Sequence, residues 1–493
     1  MKRYLNYIDG VFVSPDSNAW LPSVNPYTGE NWCEIPRSNE HDAKGAIDAA
    51  SRAFRSSAWS SLNASQRGAL LRRLADLIKE NAEALARIEV ADNGKLITEM
   101  RGQLRYIPEW YHYYGGLADK IEGSVLPIDK PDYLAFTRYE PLGVVLAITA
   151  WNSPLLLLAW KLAPGLAAGN TFVIKPSEHA TASTLEFAAL FEQAGFPPGV
   201  INVVSGYGSE IGDALTSDRR VAKIAFTGSD STGRRVNEQA AKDFKHVTME
   251  LGGKSPNIVF ADANAEQAIA GAISGIFAAG GQTCMAGSRL LLQEPIYDEF
   301  TRRLVEASRS AVLGNPMDDA TQIGPIANRP QYDRVLSCIE MGRADGARLV
   351  LGGRPFTEGD AKHGLFIEPT IFCDVSNDMR IARQEVFGPV LAVIPFKTEE
   401  DAVAIANDSP YGLAAGVWTT DMGTALRMSR QLEAGTVWVN SYRAVSYLAP
   451  FGGYKQSGIG RESGYEMIKE YLQTKTTWIY SGAASPGNPF VMR

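Results

Sequence analysis

The chain has 493 residues, too many for a single hydrophobic core, so we expect two or three domains. Its 45% hydrophobic and 21% charged residues are ordinary for a globular protein, and its net charge of −7 argues against nucleic acid or an anionic membrane as a partner. No apolar stretch reaches the roughly 18 residues of a membrane span, and "MKRYLNYIDGVFVSP" lacks the apolar core of a signal peptide. We therefore expect a cytoplasmic protein.

The cysteines and the five histidines are scattered along the chain. The four cysteines are Cys33, Cys284, Cys338 and Cys373, and they have no paired spacing typical of zinc binding or of a redox pair. We expect free thiols, a reducing compartment and no metal site.

The first part of the chain predicts helices, since "SQRGALLRRLADLIKENAEALARIEVAD" has apolar residues at intervals of three and four. From about Leu142, strands and helices alternate. "GVVLAITAW" predicts a strand, "PLLLLAWKLAPGLAAG" a helix, and further strands follow in "TFVIKP", "GVINVVSG" and "VAKIAFTG". This alternation predicts a parallel sheet covered on both faces.

A second series, from "SPNIVFAD" through "LFIEPTIFCDV" to "AGTVWVN", predicts a second α/β domain of comparable size.

Two segments fit neither series. "DYLAFTRYEPLG" and "YLQTKTTWIY" have the partly alternating pattern of extended edge strands. Edge strands of this kind pair either with another subunit or within the chain, and the pattern leaves both open. A polar tail containing "SGAASPGNPF" follows.

"IAFTGSDSTGRRV" is the best local signal for phosphate binding. A strand ends at Thr227, and Gly228, Ser229 and Gly233 precede or begin a helix whose free N–H groups favour an anion. The spacing differs from the usual G-x-G-x-x-G fingerprint, and a purely structural turn is the alternative.

A lysine and a carboxylate follow the strand in "TFVIKPSE". Lys175 and Glu178 lie at its carboxyl end, where ligands of open α/β sheets bind. A carboxylate there suits the two hydroxyls of an adenosine ribose and repels a 2′-phosphate. An exposed ion pair is the alternative interpretation.

Four further motifs carry side chains suited to catalysis. "TMELGGKSPN" places Glu250 where burial would make it a general base, and "TAWNSPLL" places Asn152 as an oxyanion donor or a helix cap. Cys284 stands in "IFAAGGQTCMAGSRLLL", either as a nucleophile or as an inert buried thiol. "RQEVFGPV" carries Glu385 and Phe387, whose role the motif alone leaves open.

The collinear set "AWNSP", "IKPSE", "FTGS…G", "MELGGKSPN", "GQTC", "EVFGPV" and "PFGGYKQSGIGRE" resembles the NAD(P)-dependent aldehyde dehydrogenase superfamily over nearly the whole chain. The resemblance implies an α/β fold with a Rossmann-like cofactor domain, an α/β catalytic domain and a small β oligomerisation arm. The implied boundaries are 1–122 and 143–251 for the cofactor domain, with 450–468 returning to it, 252–449 for the catalytic domain, and 123–142 with 469–493 for the arm.

By the same resemblance Cys284 attacks the aldehyde, forming first a thiohemiacetal and then, after hydride transfer, a thioester. Asn152 and the Cys284 backbone N–H would hold the oxyanion, and Glu250 would activate the water that releases the acid. Lys161 and Glu462 match family positions near the proton-release path, with a structural ion pair as the alternative.

The resemblance also implies NAD as the cofactor, with NADP as the weaker alternative because of Glu178. Lys175 and Glu178 would hold the adenosine ribose, and the glycine turn the pyrophosphate. Glu385 would hold the nicotinamide ribose, and Phe387 would back the ring. The predicted cofactor residues are Trp151, Lys175, Glu178, Gly208, Gly212, Gly228, Ser229, Gly233, Glu385 and Phe387.

Small residues depart from the common pattern near the cysteine. Ser153 stands where phenylalanine is frequent and Ala278 where a bulky residue is frequent, so we expect a wider tunnel and a bulky or aromatic aldehyde. Arg443 would contact an anionic substrate group or point to solvent. Pro108 disturbs the helix on which Tyr106 and Trp110 would share a face. The predicted tunnel residues are Tyr106, Trp110, Ser153, Leu156, Trp160, Ala278, Met285, Arg443, Val445 and Phe451.

Two alternatives to an acid-producing aldehyde dehydrogenase stay open. A CoA-acylating relative would have no need of a water-activating base, so Glu250 argues against it. A binding or structural relative would have no need of Cys284, Glu250 and Asn152 together. The expected partners are a small aldehyde and a second copy or further copies of the chain, as a homodimer or homotetramer.

Overall fold

The computed structural model describes residues 1–483 and 490. The strands, in chain order, are β1 Lys2–Arg3, β2 Asn6–Ile8, β3 Val11–Val13, β4 Trp20–Val24, β5 Asn31–Pro36, β6 Val125–Leu126, β7 Tyr133–Pro141, β8 Val144–Ile148, β9 Thr171–Lys175, β10 Ile201–Val203, β11 Val221–Thr227, β12 His246–Glu250, β13 Pro256–Val259, β14 Arg289–Gln293, β15 Arg348–Leu351, β16 Thr370–Cys373, β17 Val390–Phe396, β18 Tyr411–Gly412, β19 Ala414–Trp418, β20 Thr436–Val439, β21 Tyr454–Lys455, β22 Gly458–Ile459 and β23 Leu472–Tyr480.

The α-helices, in chain order, are α1 Glu40–Arg55, α2 Ser57–Ser60, α3 Ala64–Glu80, α4 Ala82–Asn93, α5 Ile97–Tyr106, α6 Pro108–Leu117, α7 Pro154–Ala168, α8 Ala182–Ala194, α9 Gly208–Ser217, α10 Asp230–Lys242, α11 Ala265–Phe277, α12 Tyr297–Arg309, α13 Arg329–Ala344, α14 Arg380–Arg383, α15 Glu399–Asn407 and α16 Met422–Gln431. Short 3₁₀ turns span Ala118–Lys120, Ala278–Gly281, Glu294–Ile296, Gly359–His363 and Tyr465–Tyr471.

The first large sheet has the order β22-β12-β11-β8-β9-β10-β2-β3. Its five central strands, from β12 to β10, are parallel, and β22, β2 and β3 run antiparallel to their neighbours. The chain leaves β8 in one direction towards β9 and β10 and later returns on its other side as β11 and β12. That reversal creates a crevice beyond the carboxyl ends of β8 and β11, as in Rossmann-like folds.

Alternating residues of β8 enter two different hydrophobic clusters. Val145 and Ala147 belong to the cluster formed with α3, α6, α7 and α8, whereas Val144 and Leu146 belong to the one formed with α1, α9 and α10. A strand buried on both faces reads as a continuous apolar run. The prediction of a parallel sheet covered on both faces is confirmed.

The second large sheet has the order β15-β16-β17-β14-β13-β19-β20, and all its strands are parallel except the edge strand β15. Two hydrophobic clusters cover its faces. One includes residues of α13, α15 and α16, and the other includes residues of α11 and α12. The prediction of a second α/β unit is also confirmed.

The two sheets are joined directly. Glu250 ends β12 at the carboxyl edge of the first sheet, and six residues later Pro256 begins β13 at the amino edge of the second. Cys284 precedes β14, so it also lies at the amino edge of the second sheet. Predicted site residues from both sheets are therefore brought to one boundary.

A separate three-stranded sheet pairs β23 with β7 and β7 with β6. The two segments that fit neither α/β series, "DYLAFTRYEPLG" and "YLQTKTTWIY", thus pair with each other within the chain. Their register runs from the pair Leu472–Pro141 to the pair Tyr480–Tyr133. Leu134, Trp478 and Ile479 are exposed on it. Residues 484–489 and 491–493 of the predicted arm and tail lie outside the described residues, and the domain boundaries stay a prediction.

Two predicted elements differ in extent. The long helical pattern divides at Asn81 into α3 and α4, because that residue closes one helix and begins the next. "LFIEPTIFCDV" forms a strand only over Thr370–Cys373. Within residues 1–483 and 490, none of the helices combines the length and apolar character that a bilayer span needs. The same residues contain no group of three His, Cys, Asp or Glu side chains placed to bind a metal.

Candidate active site

The loop that carries Cys284 has an unusual backbone. Ala279, Gly280 and Gly281 all have positive φ, at 54°, 59° and 72°. A side chain at Gly281 would place its Cβ 2.1 Å from the Gly388 carbonyl oxygen. The glycine is therefore required both for its backbone conformation and for the close approach of the two loops.

Gln282 holds this loop in place. Its side-chain amide donates to the carbonyls of Ala279 and Pro325, each at 3.3 Å, and its oxygen accepts from the Ala327 N–H at 2.9 Å. Glu99 on α5 also accepts a hydrogen bond from the Ala279 N–H at 2.9 Å. The segment before the cysteine is thus fixed from two sides.

The Cys284 side chain is half-buried. Burial raises the pKa of its thiol to about 12, and the Glu250 and Glu385 carboxylates add to this shift. The Cys284 and Met285 backbone N–H groups oppose it. In the free protein the sulfur is therefore a neutral thiol near pH 7.

Asn152 lies four residues beyond β8 and is buried. Its Nδ2 donates a 3.0 Å hydrogen bond to the carbonyl oxygen of Gln282, two residues before the cysteine. An amide nitrogen carries two hydrogens, so this bond orients the group and leaves a second donor for a substrate oxygen. Ser153, rather than Asn152, is the N-cap of α7.

Glu250 is buried at the end of β12, and neither carboxylate oxygen forms a hydrogen bond with the described residues. Burial raises its pKa well above the ordinary value, and the neighbouring Glu462 carboxylate raises it further. Lys161 and Arg461 oppose the shift. A buried carboxyl of raised pKa is suited to accept a proton during a reaction.

Lys161 and Glu462 form a fully buried ion pair. Lys161 Nζ lies 2.6 Å from Glu462 Oε1, and both side chains are 0% exposed. Burial raises the pKa of Glu462, and the Lys161 ammonium opposes this. The pair lies close enough to Glu250 for both of its charges to affect that carboxyl.

A cleft of about 570 Å³ opens beyond the carboxyl ends of β8, β9 and β11. Seven of the ten predicted cofactor residues line it: Trp151, Lys175, Glu178, Gly208, Gly212, Gly228 and Ser229. A cleft at this reversal of strand order suits an extended nucleotide.

Two helices begin at this cleft. Gly208 begins α9, and Ser229 caps α10, its Oγ accepting from the Thr232 N–H at 3.3 Å. Gly233 is absent from the lining. A Cβ there would lie 2.6 Å from Leu251 Cδ2, so this glycine allows α10 to pack closely, and its contact with a cofactor stays a prediction.

Lys175 and Glu178 form an ion pair with 3.0 Å between Nζ and Oε2. Burial alone would raise the pKa of Glu178, but the Lys175 ammonium overrides it and the net shift is downward. Glu178 is therefore a carboxylate facing the cleft, as required for accepting hydrogen bonds from ribose hydroxyls.

Glu385 and Phe387 lie beyond the Trp151 end of the cleft. Glu385 Oε1 accepts from the Gly253 N–H at 3.0 Å, and burial raises its pKa to about 7. Phe387 has a positive φ of 57° and packs edge-to-face on Trp151, with ring centroids 5.2 Å apart. Trp151 thus connects the cleft with the neighbourhood of Glu385.

The predicted tunnel residues divide into two groups. Trp110, Trp160 and Phe451 are fully buried in one aromatic cluster, in which the Trp110 indole donates to Ser463 Oγ at 2.8 Å. Tyr106 is exposed and packs edge-to-face on Trp110, although the two lie on separate helices because Pro108 begins α6. The half-buried apolar residues on the same cluster as the cysteine include Leu156, Met285, Val445 and Tyr447.

The small residues of the predicted tunnel have specific surroundings. Ser153 Oγ accepts a 2.6 Å hydrogen bond from the buried Lys95 Nζ, which gives this position a polar neighbour. Ala278 is half-buried at the end of α11. Arg443 Nη1 donates to the Ser274 carbonyl at 3.0 Å, and the choice between an anionic substrate group and solvent for the rest of this side chain stays a prediction.

Sequence reasoning assigned no role to Gln282, Lys95 or Tyr447. Gln282 stands inside the "GQTC" motif, and its position before the cysteine was a usable signal. The Lys95 contact joins residues 58 positions apart, and nothing in the local sequence indicates it.

Comparisons with known proteins agree with this geometry. The model of the family described as "Aldehyde dehydrogenase family" matches residues 12–477. (Z)-2-((N-methylformamido)methylene)-5-hydroxybutyrolactone dehydrogenase from Acinetobacter baylyi is 47% identical over 494 residues, covering 100% of both chains. Retinal dehydrogenase 2 from Homo sapiens is 45% identical over 476 residues, covering 96% of this chain and 91% of that protein.

Among solved structures, betaine aldehyde dehydrogenase from Staphylococcus aureus in complex with NAD+ superimposes with a TM-score of 0.97 and 41% identity, covering 98% of this chain and 96% of that chain. An aldehyde dehydrogenase mutant from Bacillus cereus gives a TM-score of 0.95 with 42% identity, covering 98% and 97%. The fold, the cleft and the match along nearly the whole sequence lead to one assignment: the chain belongs to the aldehyde dehydrogenase family.

Proposed function

We propose that this protein oxidises an aldehyde to the carboxylic acid with NAD+, through a thioester on Cys284. The observation that carries the proposal is the meeting of three groups at the boundary between the sheets: a half-buried thiol, an oriented amide and a buried carboxyl without hydrogen bonds to the described residues. Each group supplies one element of acyl chemistry.

In the first step the Cys284 thiol gives its proton to water, and its sulfur attacks the aldehyde carbon. The carbonyl electron pair moves onto oxygen, and the Asn152 amide and the Cys284 backbone N–H donate to that oxyanion. The hydrogen bond to Gln282 supports this role because it orients the amide before substrate arrives.

In the second half of the reaction, the hydrolysis of the thioester, Glu250 accepts a proton from the attacking water. The carbon–sulfur bond then breaks, releasing the acid and regenerating the sulfur. A carboxyl whose pKa is raised by burial and by Glu462 takes up this proton readily. Lys161 and Glu462, whose charges both act on Glu250, would carry that proton onward.

The cleft supports NAD+ as the cofactor, which supplies the hydride acceptor when bound. Glu178 suits the adenosine ribose and repels a 2′-phosphate, and the amino termini of α9 and α10 suit a pyrophosphate. Glu385 and Phe387 would hold the nicotinamide end. The solved betaine aldehyde dehydrogenase from Staphylococcus aureus is in complex with NAD+, which agrees with this choice.

For the substrate we propose a bulky or aromatic aldehyde. Half-buried Leu156, Met285, Val445 and Tyr447, which pack against the same hydrophobic cluster as Cys284, supply apolar contacts, and Ser153 leaves room where a larger side chain is frequent. The names of two relatives, which refer to retinal and to a substituted hydroxybutyrolactone, also indicate substrates larger than acetaldehyde.

A panel of aliphatic, aromatic and charged aldehydes, assayed with NAD+ and NADP+ by absorbance of the reduced cofactor, tests this proposal. We expect acid without added CoA, which separates it from a CoA-acylating enzyme. Reduction of NAD+ by a Cys284→Ala variant would overturn the mechanism. A kcat/KM for acetaldehyde that equals the value for benzaldehyde would overturn the substrate class.

The sheet of β6, β7 and β23 supports a further proposal, that the protein is a homodimer or homotetramer. Its exposed Leu134, Trp478 and Ile479 offer an apolar contact surface. Light scattering of a Trp478→Glu variant tests it. We expect a smaller assembly than that of the unmodified chain, and an unchanged mass would contradict this role for the sheet.

A further inference from the structure

A second buried lysine lies beyond the Lys161–Glu462 pair. Lys223 is in the interior of β11, its side chain is 0% exposed, and its Nζ forms no hydrogen bond with the described residues. Interior positions of a parallel strand are normally apolar, and a buried ammonium without hydrogen bonds is destabilising. The presence of a lysine at this position therefore calls for an explanation from its surroundings.

The surroundings of Lys223 extend from the buried pair towards the surface. Its Nζ lies 3.9 Å from Glu470 Oε2 and 4.9 Å from the centre of the Tyr471 ring. Burial lowers its pKa to about 8, against the opposing effect of Glu470 and Glu462, while Lys161 adds to the lowering. In the sheet its neighbours are Val145 and the exposed His246.

One carboxylate oxygen of Glu462 is buried without a hydrogen bond to the described residues. This oxygen is Oε2, whereas Oε1 is held by Lys161. Buried polar atoms of this kind are commonly bridged by ordered water. Glu470, at the other end, is 44% exposed and therefore reaches solvent.

We propose that Lys223 and Glu470 carry the proton released after thioester hydrolysis from the Lys161–Glu462 pair to solvent. The proposal rests on the function proposed above, since it concerns the proton that Glu250 removes from water. Lys223 and Glu470 touch neither substrate nor cofactor, so they are relay residues that act through Glu462.

The transfer balances, because one proton enters from Glu462 and one proton leaves to solvent from Glu470. The Lys223 ammonium gives a proton to the Glu470 carboxylate, and the resulting amine takes one from the carboxylic acid form of Glu462, directly or through water. Glu470 then releases its proton to solvent. No electron pair leaves the chain, and no bond other than those to hydrogen changes.

Glu470→Gln tests whether Glu470 releases the proton to solvent. The substitution carries little risk to folding, because the side chain is half-exposed. The enzyme with NAD+ is mixed with a labelled aldehyde, and protein-bound acyl groups are followed by acid quench. In dilute buffer we expect acyl hydrolysis to slow about fivefold while acyl formation is unchanged. A high concentration of a small buffer should restore the rate, which the loss of a merely structural residue would not allow.

Glu466→Gln is the matched control, since Glu466 lies in the same 3₁₀ turn and pairs with Lys469 instead. Its hydrolysis rate should not depend on buffer concentration. Equal rates of acyl hydrolysis for Glu470→Gln and the unmodified protein at all buffer concentrations would overturn the role of Glu470 in proton release.

Lys223→Met tests the buried step. It keeps the length of the side chain and removes the amine, so we expect slower acyl hydrolysis at every buffer concentration. Rates equal to those of the unmodified protein would overturn the relay. If this variant does not fold, the Glu470→Gln result decides. The failure of the proposed function looks different: no protein-bound acyl group would form in the unmodified enzyme.

Discussion

Asn152 Nδ2 donates a 3.0 Å hydrogen bond to the Gln282 carbonyl, and this bond joins the two sheets at the candidate active site. Asn152 follows a strand of the first sheet, whereas Gln282 lies in the loop that leads to the cysteine and the second. A single contact therefore orients the amide and fixes its position relative to the sulfur.

Replacing Asn152 by alanine should lower kcat by about 100-fold or more, the usual effect of losing one oxyanion donor. Steady-state kinetics with the best substrate of the aldehyde panel measures this. Cofactor affinity, measured by fluorescence quenching, should stay the same because Asn152 is not among the residues that line the cleft. A full kcat in the variant would show that another group stabilises the oxyanion.

Gly281→Ala should destabilise the loop and inactivate the enzyme. The glycine has φ 72°, and an added Cβ would lie 2.1 Å from the Gly388 carbonyl oxygen. Gly102→Ala is the control, since that glycine is inside α5 with nothing within 4 Å of an added Cβ. It should raise the unfolding free energy by up to about 1 kcal/mol. Thermal unfolding and activity measurements on both variants test these two expectations. A Gly281→Ala variant that is active and stable would contradict the argument from backbone strain and close approach.

The parallel strands and the order of the site motifs could be predicted because they depend on local apolar runs and on glycine turns. The close packing of Gly233 on Leu251 could not be predicted. A glycine in a strand–helix turn serves ligand approach or helix packing, and the local sequence contains no signal for a contact with Leu251. The buried partners of Ser153 and of Glu462 were equally inaccessible, because each contact joins distant parts of the chain.

Alkylation of Cys284 should be slow near neutral pH and rise steeply with pH. Burial raises the thiol pKa to about 12, so the thiolate fraction grows about tenfold per pH unit below that value. Iodoacetamide inactivation of the cofactor-free enzyme between pH 7 and 10 measures this. A plateau below pH 9 would contradict it.

The other three cysteines, Cys33, Cys338 and Cys373, are buried. A Cys284→Ser variant should therefore take up almost no label in the same experiment. Substantial labelling of that variant would mean that the inactivation rate reports another thiol.

Glu462→Gln should shift the pH dependence of acyl hydrolysis to lower pH. Burial and the Glu462 carboxylate both raise the pKa of Glu250, and the Lys161 ammonium opposes them. The active form of Glu250 is the carboxylate, so hydrolysis increases as pH rises through its pKa. Removing the negative neighbour while keeping Lys161 lowers that midpoint.

The pH–rate profile of single-turnover acyl hydrolysis measures this midpoint. The Glu466→Gln variant should leave it in place. An unchanged or higher midpoint in Glu462→Gln would show that Glu462 does not act on Glu250.

Glu178→Gln should improve the use of NADP+ relative to NAD+. The carboxylate faces the cleft and its pKa is lowered by Lys175, so at neutral pH it is charged and repels a 2′-phosphate. The ratio of kcat/KM for the two cofactors should move towards NADP+ by about tenfold, or about 1.4 kcal/mol. Glu186→Gln, whose side chain pairs with Lys2 at the surface, should leave that ratio unchanged. An unaltered ratio in Glu178→Gln would contradict the assignment.

The hydrogen bond between Lys95 and Ser153 also constrains how the protein can evolve. A larger apolar residue at position 153 would narrow the space near the cysteine, but it would also remove the oxygen that accepts from a buried ammonium. Such an ammonium is destabilising without its hydrogen bond. A change of substrate range through this position therefore requires an accompanying change at Lys95, and the order in which the two substitutions arise determines whether the intermediate protein folds.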